Sequence, residues 1–399
     1  MTLSYWHLKG RFHGKFESKN LLPPESCDIA IIGAGITGIA LAYYLRLLGC
    51  DKVIVLEKEF IGYGASGRNA GFLLSGMAEP YNRLVVGMGH EGAKSITRAT
   101  LDNHQLIADA IKSGCISCDY IKSGSFHLAT SEFEANELQE SADLLQKDDF
   151  GGEYYGSREI DETLIFGNFS GGYFNPNDGC LDPYAFVTGL SRGIDVYQGF
   201  EVNSIEKAAG LVILKGNGKI IKAEMAILAT NAYSPLLDDY FKQMIFPVRG
   251  QMLASTLNEP NPLKNMTYYA NFGYDYFRQS PEGAILMGGL RNRFIDTEIG
   301  YDDFPNPELQ QGLEDYIRYK IGARRLEIAC RWTGVMGNTI DGLPLVGALP
   351  HNSAVLCAVG YNGHGFGLGM VVARDIARAL MQNETSDLLN RFSIKRFAR

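Results

Sequence analysis

Of the 399 residues, 46% are hydrophobic, enough to fill a sizeable core in two domains or in one large interleaved fold. The 37 basic and 45 acidic residues leave a net charge of −8 with no long single-sign block, which disfavours a nucleic-acid or anionic-membrane partner. The seven cysteines are scattered and odd in number, so no disulfide framework is expected and a reducing cytoplasm fits.

Taken in chain order, Ser4-Tyr5-Trp6-His7, followed by Lys9, Arg11 and Lys15, lacks the apolar centre of a secretory signal and is expected to pack on the body as an aromatic arm. Ile29 to Ile32 is a short β-branched run suited to a buried parallel strand. Gly33-Ala34-Gly35-Ile36-Thr37-Gly38 follows, and then Ile39, Leu41, Ala42, Leu45 and Leu48 give a helical apolar face ending at Gly49. A second apolar run, Val53 to Leu56, leads to Glu57 and Lys58. Strand, glycine turn, helix, strand and acid in this order form a dinucleotide-binding βαβ unit. Gly33 permits the tight turn, Gly35 lets the backbone approach a pyrophosphate, Gly38 lets helix and sheet pack closely, and Glu57 accepts hydrogen bonds from a ribose.

The segment 61–71 is too rich in glycine for a regular element and reads as a cofactor-contacting loop. Helical spacing runs from about Glu91 to Ser113 and from Ser131 to Gln146, with strand-like alternation from Tyr120 to Ala129 between them. Cys115-Ile-Ser-Cys118 has redox or metal spacing, but it has no second pair and no nearby histidine cluster and is read as structural. Asp182 and Pro183 signal a helix start. Short strands are expected between Asp195 and Leu214, a buried one from Met225 to Asn231, and strand-like pattern throughout 243–289. A helix from about Pro307 to Tyr319, a strand from Ala354 to Val359, a glycine loop and a helix from Leu368 to Met381 close the chain. The glycine-rich stretches 29–45 and 353–373 are better explained as strand, turn and helix than as membrane spans.

Four separated segments together resemble the D-amino-acid oxidase and glycine/sarcosine oxidase superfamily of FAD enzymes, over nearly the whole chain. They are the Gly33 to Gly38 motif with Glu57; Gly64-Ala-Ser-Gly-Arg-Asn-Ala-Gly71; Ala229-Thr-Asn-Ala-Tyr233; and the pair 332–347 and 360–367. Pro247 to Gln251 and Tyr274 to Arg278 resemble the family's substrate-domain strands. The resemblance implies an α/β fold: a Rossmann-like, glutathione-reductase-type FAD-binding domain (1–88, 151–238 and 325–399) with an interleaved α+β substrate domain on an antiparallel sheet (89–150 and 239–324). It implies FAD contacts from Gly33, Ala34, Gly35, Ile36, Thr37 and Gly38, from Glu57 and Lys58, and from Ala65, Ser66, Arg68, Asn69, Ala70 and Gly71. It adds Val202, Ala229, Thr230, Asn231 and Gly334, with Gly363, His364, Gly365 and Phe366 from the last glycine loop.

Arg68 and the N-terminal end of the last helix are suited to stabilising negative charge on reduced flavin. Tyr276 aligns with a tyrosine on the substrate side of the flavin in sarcosine-oxidase-like members, with simple aromatic packing as the alternative. His364 either orients substrate and tunes the flavin or is a hydrogen-bonded structural group. Arg249 and Arg291 are candidate carboxylate forks, Arg249 being read rather as a structural ion pair. The chain departs from the family at three points. Met336 stands where glycine-oxidase-like members have an arginine, Gly367 where sarcosine-oxidase-like members have a lysine, and Gly334 where the covalent-flavin cysteine lies.

These residues predict non-covalent FAD and a small-molecule amine or amino-acid-derived substrate, with Tyr276, His364 and Arg291 at the reaction centre. Hydride passes to flavin N5, and the imine hydrolyses. Oxidation of a 2-hydroxy acid or glycerol phosphate on the same scaffold, or a flavin-carrying electron-transfer subunit, are the alternatives. The electron acceptor is oxygen, a quinone or a protein. Leu286, at the position of a lysine that aids oxygen reduction in sarcosine-oxidase-like members, favours an acceptor other than oxygen. No metal, nucleic-acid partner or transmembrane segment is expected.

Overall fold

The computed structural model describes residues 2–12, 22–164, 166–257 and 263–397. Lys15, expected in the N-terminal arm, and the 258–262 part of the expected strand region lie outside them. Among the described residues, no helix is long and apolar enough to cross a membrane.

The β-branched run near the N-terminus forms the strand Ser26–Ile32, and its residues Ile29 to Ile32 are buried whichever face they point to: Ile29 and Ile31 pack among helices, Ala30 and Ile32 against the strands Val202–Ala208 and Leu211–Gly216. It pairs in parallel with Val53–Leu56 on one side and with Lys219–Leu228 on the other. Val196–Tyr197 extends the first side and Asn352–Val359 the second, again in parallel, while Leu345–Leu349 adds an antiparallel edge. The chain steps outward from Ser26–Ile32 in both directions, so the strand order reverses there. The crevice beyond the carboxyl ends of such strands is where open α/β sheets bind ligands.

Two helices cover this switch point, Ile36–Leu47 and Gly365–Gln382. A Cβ on Gly369 would lie 3.1 Å from Ile36 Cγ2, so a small residue lets the two helices approach. The last helix begins at Gly365 rather than at the expected Leu368, because Gly365 and Gly367, poor helix formers by propensity, are held helical by this packing. The helix His90–Gly114 lies against it. Asn103 Nδ2 donates to Phe366 O at 2.8 Å, and its Oδ1 accepts from Met370 N at 2.9 Å.

The second sheet runs in the order 328–339, 245–257, 284–289, 275–279, 267–270, 125–129, 171–175 and 153–156. It is antiparallel except where Thr267–Ala270 meets Ser125–Ala129. Its membership departs from the expected partition. Glu153–Gly156, Gly171–Asn175 and Ile328–Thr339 fall in blocks assigned to the cofactor domain, yet they pair in this sheet. Conversely, the helix His90–Gly114, assigned to the substrate block, packs on the last cofactor-side helix. Long-range pairing decides these memberships, and no shift in composition marks them. The aromatic arm is a helix, Tyr5–Phe12, whose fully buried Trp6 donates from Nε1 to Asn69 O at 2.8 Å.

Candidate functional site

A cavity of about 860 Å³ runs from the carboxyl ends of the parallel strands to the face of the second sheet. Of the cofactor residues expected from the sequence, all but Ala34, Gly38 and Gly71 line it, and so do Tyr276 and Arg291. Those three shape the site from behind. Gly38 sits where a Cβ would fall 1.9 Å from Gly33 O, and a Cβ on Gly71 would fall 2.2 Å from Leu181 O. Gly33 itself turns the chain at φ +103, a conformation that favours glycine, with a Cβ there 2.8 Å from Ala229 O.

This end of the cavity fits a dinucleotide. The helix Ile36–Leu47 starts at the cavity wall, and the N–H groups of its first turn have no intrahelical acceptors. Gly35 at its N-cap has no side chain to supply one, although Ser66 Oγ accepts from Ile36 N at 2.9 Å. Glu57 Oε2 accepts from Ala34 N at 2.8 Å and Oε1 from Glu59 N at 2.9 Å, which fixes its carboxylate beside the glycine turn. Burial pushes the Glu57 carboxyl up, and these two N–H groups oppose that shift. Asn231 Oδ1 accepts from Gly360 N at 2.9 Å, tying the Ala229–Asn231 segment to the last glycine loop. Among the described residues no cysteine lines the cavity, and Gly334 lies at its wall.

The opposite end is aromatic. Phe72, Tyr269, Phe272, Tyr274 and Tyr276 line it, with Met336 and Gly367 at the positions where basic side chains were absent from the sequence pattern. Burial pushes the Tyr276 phenol up to about 12, against the pull of Arg291. The structure separates the three arginines. Arg249 is buried with Glu298 at 3.4 Å. Arg68 is also buried, its Nη1 3.1 Å from Asp303 Oδ1 and donating to Thr333 O at 2.8 Å, while its Nε donates to Tyr63 O at 2.8 Å. Burial raises the Asp303 carboxyl, but hydrogen bonds from Thr2 and the charge of Arg68 outweigh it and hold the group below its usual value. Arg68 is thus largely neutralised by a partner that no sequence motif announced. Arg291 forms no ion pair among the described residues and lies over the Tyr274 ring at 5.3 Å.

His364 caps the last helix at the cavity wall. Its Nδ1 lies 3.3 Å from Asn362 O, which only accepts, so Nδ1 carries the proton and Nε2 keeps its lone pair in the neutral ring. Burial lowers the His364 pKa, and the nearby His127 lowers it further. Sequence reasoning missed Tyr269, which stands edge-on to His364 with ring centroids 6.4 Å apart; the alternation of Thr267–Ala270 was its only signal. It also missed Arg278, buried off the cavity, which donates to Gly71 O at 3.1 Å and faces the Trp6 ring at 5.1 Å.

Comparison with known proteins agrees with this geometry. The family model described as FAD dependent oxidoreductase matches residues 28–379. The chain is 28% identical over 403 residues to a probable oxidoreductase OrdL of Haemophilus influenzae, covering 92% of this chain and 88% of that protein. It is 25% identical over 399 residues to gamma-glutamylputrescine oxidoreductase of Escherichia coli, covering 95% and 89%. The solved glycine oxidase from Geobacillus kaustophilus superposes with a TM-score of 0.78 at 20% identity, over 94% of this chain and all of that one.

Proposed function

Because the chain belongs to the family of FAD-dependent oxidoreductases, we propose that it uses non-covalent FAD to oxidise a C–N bond of an amine or amino-acid derivative, giving an imine that hydrolyses to a carbonyl compound and a smaller amine. The observation that carries the reading is the continuity of one cavity from Glu57 to Tyr276 and Arg291. Bound FAD supplies the hydride acceptor. The glycine turn, Glu57 and the first-turn N–H groups of Ile36–Leu47 hold its nucleotide part. The small residues Ala65, Ser66, Ala70, Gly334 and Gly363 leave room for a flat ring. Tyr269, Tyr276 and Phe72 exclude water from the reacting carbon.

Arg291, the cavity arginine without an ion-pair partner among the described residues, anchors a substrate carboxylate. With Met336 and Gly367 offering no second cation, the favoured substrate is an amino-acid-derived amine rather than a free α-amino acid. Gamma-glutamylputrescine oxidoreductase, one of the relatives, has a name that fits this class. For the electrons, a quinone or protein acceptor is favoured over oxygen. Leu286 is fully buried among Trp6, Ala70 and Trp332, and the strand Ala284–Gly289 sends no basic side chain into the cavity.

Anaerobic titration with amines, amino acids, γ-glutamyl amines and 2-hydroxy acids tests the reading by the bleaching of the flavin. Reduction by carboxylate-bearing amines supports it, and reduction by hydroxy acids alone rejects it. Acid precipitation should release the yellow chromophore from the polypeptide, and a chromophore that stays attached rejects the non-covalent assignment.

A further inference from the structure

Behind the aromatic wall lies a second chamber of about 40 Å³. Leu74, Ala78, Glu79, Tyr269, Phe272 and Gly273 line both it and the large cavity and so form the partition between them, with Glu79 held by Arg83 at 3.3 Å. At roughly 15 Å³ of probe space per molecule, the chamber has room for about two or three waters. Thr97 and His127 also line it, and each brings an orphan: Thr97 Oγ1 and His127 Nε2 are buried without a hydrogen-bond partner among the described residues. Two unsatisfied polar atoms on the same small chamber call for a polar occupant, and water meets both.

His127 is backed by a carboxylate. Its Nε2 lies 3.9 Å from Oδ2 of the fully buried Asp178, which forms no ion pair with lysine or arginine among the described residues. Asp178 is fixed in place, accepting from Ser75 N at 2.8 Å and from Ser125 Oγ at 2.6 Å. The His127 ring stacks on Tyr173 with centroids 4.5 Å apart and meets Tyr269 edge-on at 5.7 Å. The other titratable groups around this centre are His364 across the partition, Glu134, Glu79 and Tyr81 on the chamber wall, Tyr81 donating to Asp148, and His104 near Asp178 and Lys122. Glu134 is occupied in bonds to Thr130 and Phe272. Of the two histidines nearest the substrate wall, His127 is the one with a buried carboxylate to stabilise an imidazolium.

We propose that His127, backed by Asp178, is the proton acceptor for the substrate amine. This rests on the amine reading above. An amine arrives as its ammonium form, which has no lone pair to assist loss of hydride from the adjacent carbon. Its proton passes through water in the small chamber to His127 Nε2. One N–H bond of the ammonium breaks, one forms at Nε2, and the positive charge moves to the imidazolium beside Asp178 without any change of oxidation state. The neutral amine is left beside Tyr269 and His364. His127 acts through the partition and does not touch the substrate.

The test is the pH dependence of the limiting rate of flavin reduction, measured anaerobically with an amine that bleaches the wild-type holoenzyme. His127→Phe keeps a ring on Tyr173 and removes both nitrogens. With FAD content unchanged, its high-pH plateau should stay within about threefold of wild type, while its midpoint moves up by about one pH unit or more, so that the rate near neutrality falls roughly tenfold. An unchanged midpoint, or an equal loss at every pH, overturns the proposal. If His127→Phe does not fold, Thr97→Val carries the same readout: an upward midpoint shift supports the water path and an unchanged midpoint overturns it. Failure of every amine to bleach the wild type would instead reject the amine reading itself.

Discussion

At the Glu57 end of the cavity the glycine turn and its acid lie within 33–57 of the sequence, whereas at the Tyr276 end the residues come from 72, 269–276, 291 and 364, Tyr269 and Tyr276 meeting through sheet pairing. At the first end Glu57 has two backbone donors, Asn231 is tied to the last glycine loop, and Gly33 and Gly38 sit where no Cβ fits. Near the second end, His127 Nε2, Thr97 Oγ1 and Asp275 Oδ1 are buried without partners among the described residues. A cofactor that is always the same can be met by a local motif that leaves the first-turn N–H groups of Ile36–Leu47 open for it. A substrate wall keeps polar groups in reserve for a molecule that comes and goes, and that reserve lowers stability.

The largest expected effect breaks the first end. Gly38→Ala puts a Cβ 1.9 Å from Gly33 O, so the turn must move. Overpacking of this kind costs about 1–3 kcal/mol or more, and here it falls on the phosphate-binding turn. The variant should purify without FAD, and a normal flavin content on the absorption spectrum would refute the assignment of that turn.

Next comes the substrate anchor. Arg291→Gln should raise KM for a carboxylate-bearing amine by roughly 10- to 100-fold, the equivalent of losing a charged hydrogen bond of about 1.5–3 kcal/mol. An amine without a carboxylate should be nearly unaffected. Equal effects on both would remove Arg291 from the substrate site.

The third prediction measures the stability cost at the second end. Burial pushes the Asp275 carboxyl up to about 6, and the Leu290 N–H and the charge of Arg293 offset this only in part. Between the unfolded carboxyl value of about 4 and pH 6, the native state therefore holds more proton than the unfolded chain. Stability is lost as pH rises through this window, by about 2–3 kcal/mol once the carboxyl is fully ionised. Asp275→Asn, which removes the charge at nearly constant shape, should raise the melting temperature at pH 8 and leave it unchanged at pH 4. A gain of the same size at both pH values would point to packing instead.

Tyr276→Phe should have the smallest effect, a few-fold change in turnover or KM with FAD content intact, since the ring remains and only the hydroxyl is lost. Loss of FAD in this variant would make Tyr276 part of the cofactor end.

The same contrast explains what the sequence revealed. The βαβ unit, the loop 61–71 and the last glycine loop were legible because their geometry forces residue types at short spacing: glycine where no Cβ fits, and an acid at the end of the second strand. The elements between Tyr120 and Gly289 were largely legible as strands and helices. Their sheet was not, because whether Gly171–Asn175 or Ile328–Thr339 joins one sheet or the other is set by pairing across 73 to 94 residues for Ile328–Thr339, from Ser255↔Ile328 to Ile245↔Thr339, and by no local signal for either. Arg249 was legible as a structural ion pair, but the partner that neutralises Arg68, Asp303, sits in a segment with no motif. His127 and Asp178 drew no attention for the same reason: they become neighbours only when Ser125–Ala129 pairs with Gly171–Asn175.

The most direct test of the central claim is a single anaerobic turnover of the FAD-loaded protein with a γ-glutamyl amine, with analysis of what leaves the enzyme. C–N oxidation predicts one carbonyl compound and one ammonia or smaller amine for each flavin reduced. Flavin reduction that yields a keto acid from a 2-hydroxy acid, with every amine left intact, would contradict it.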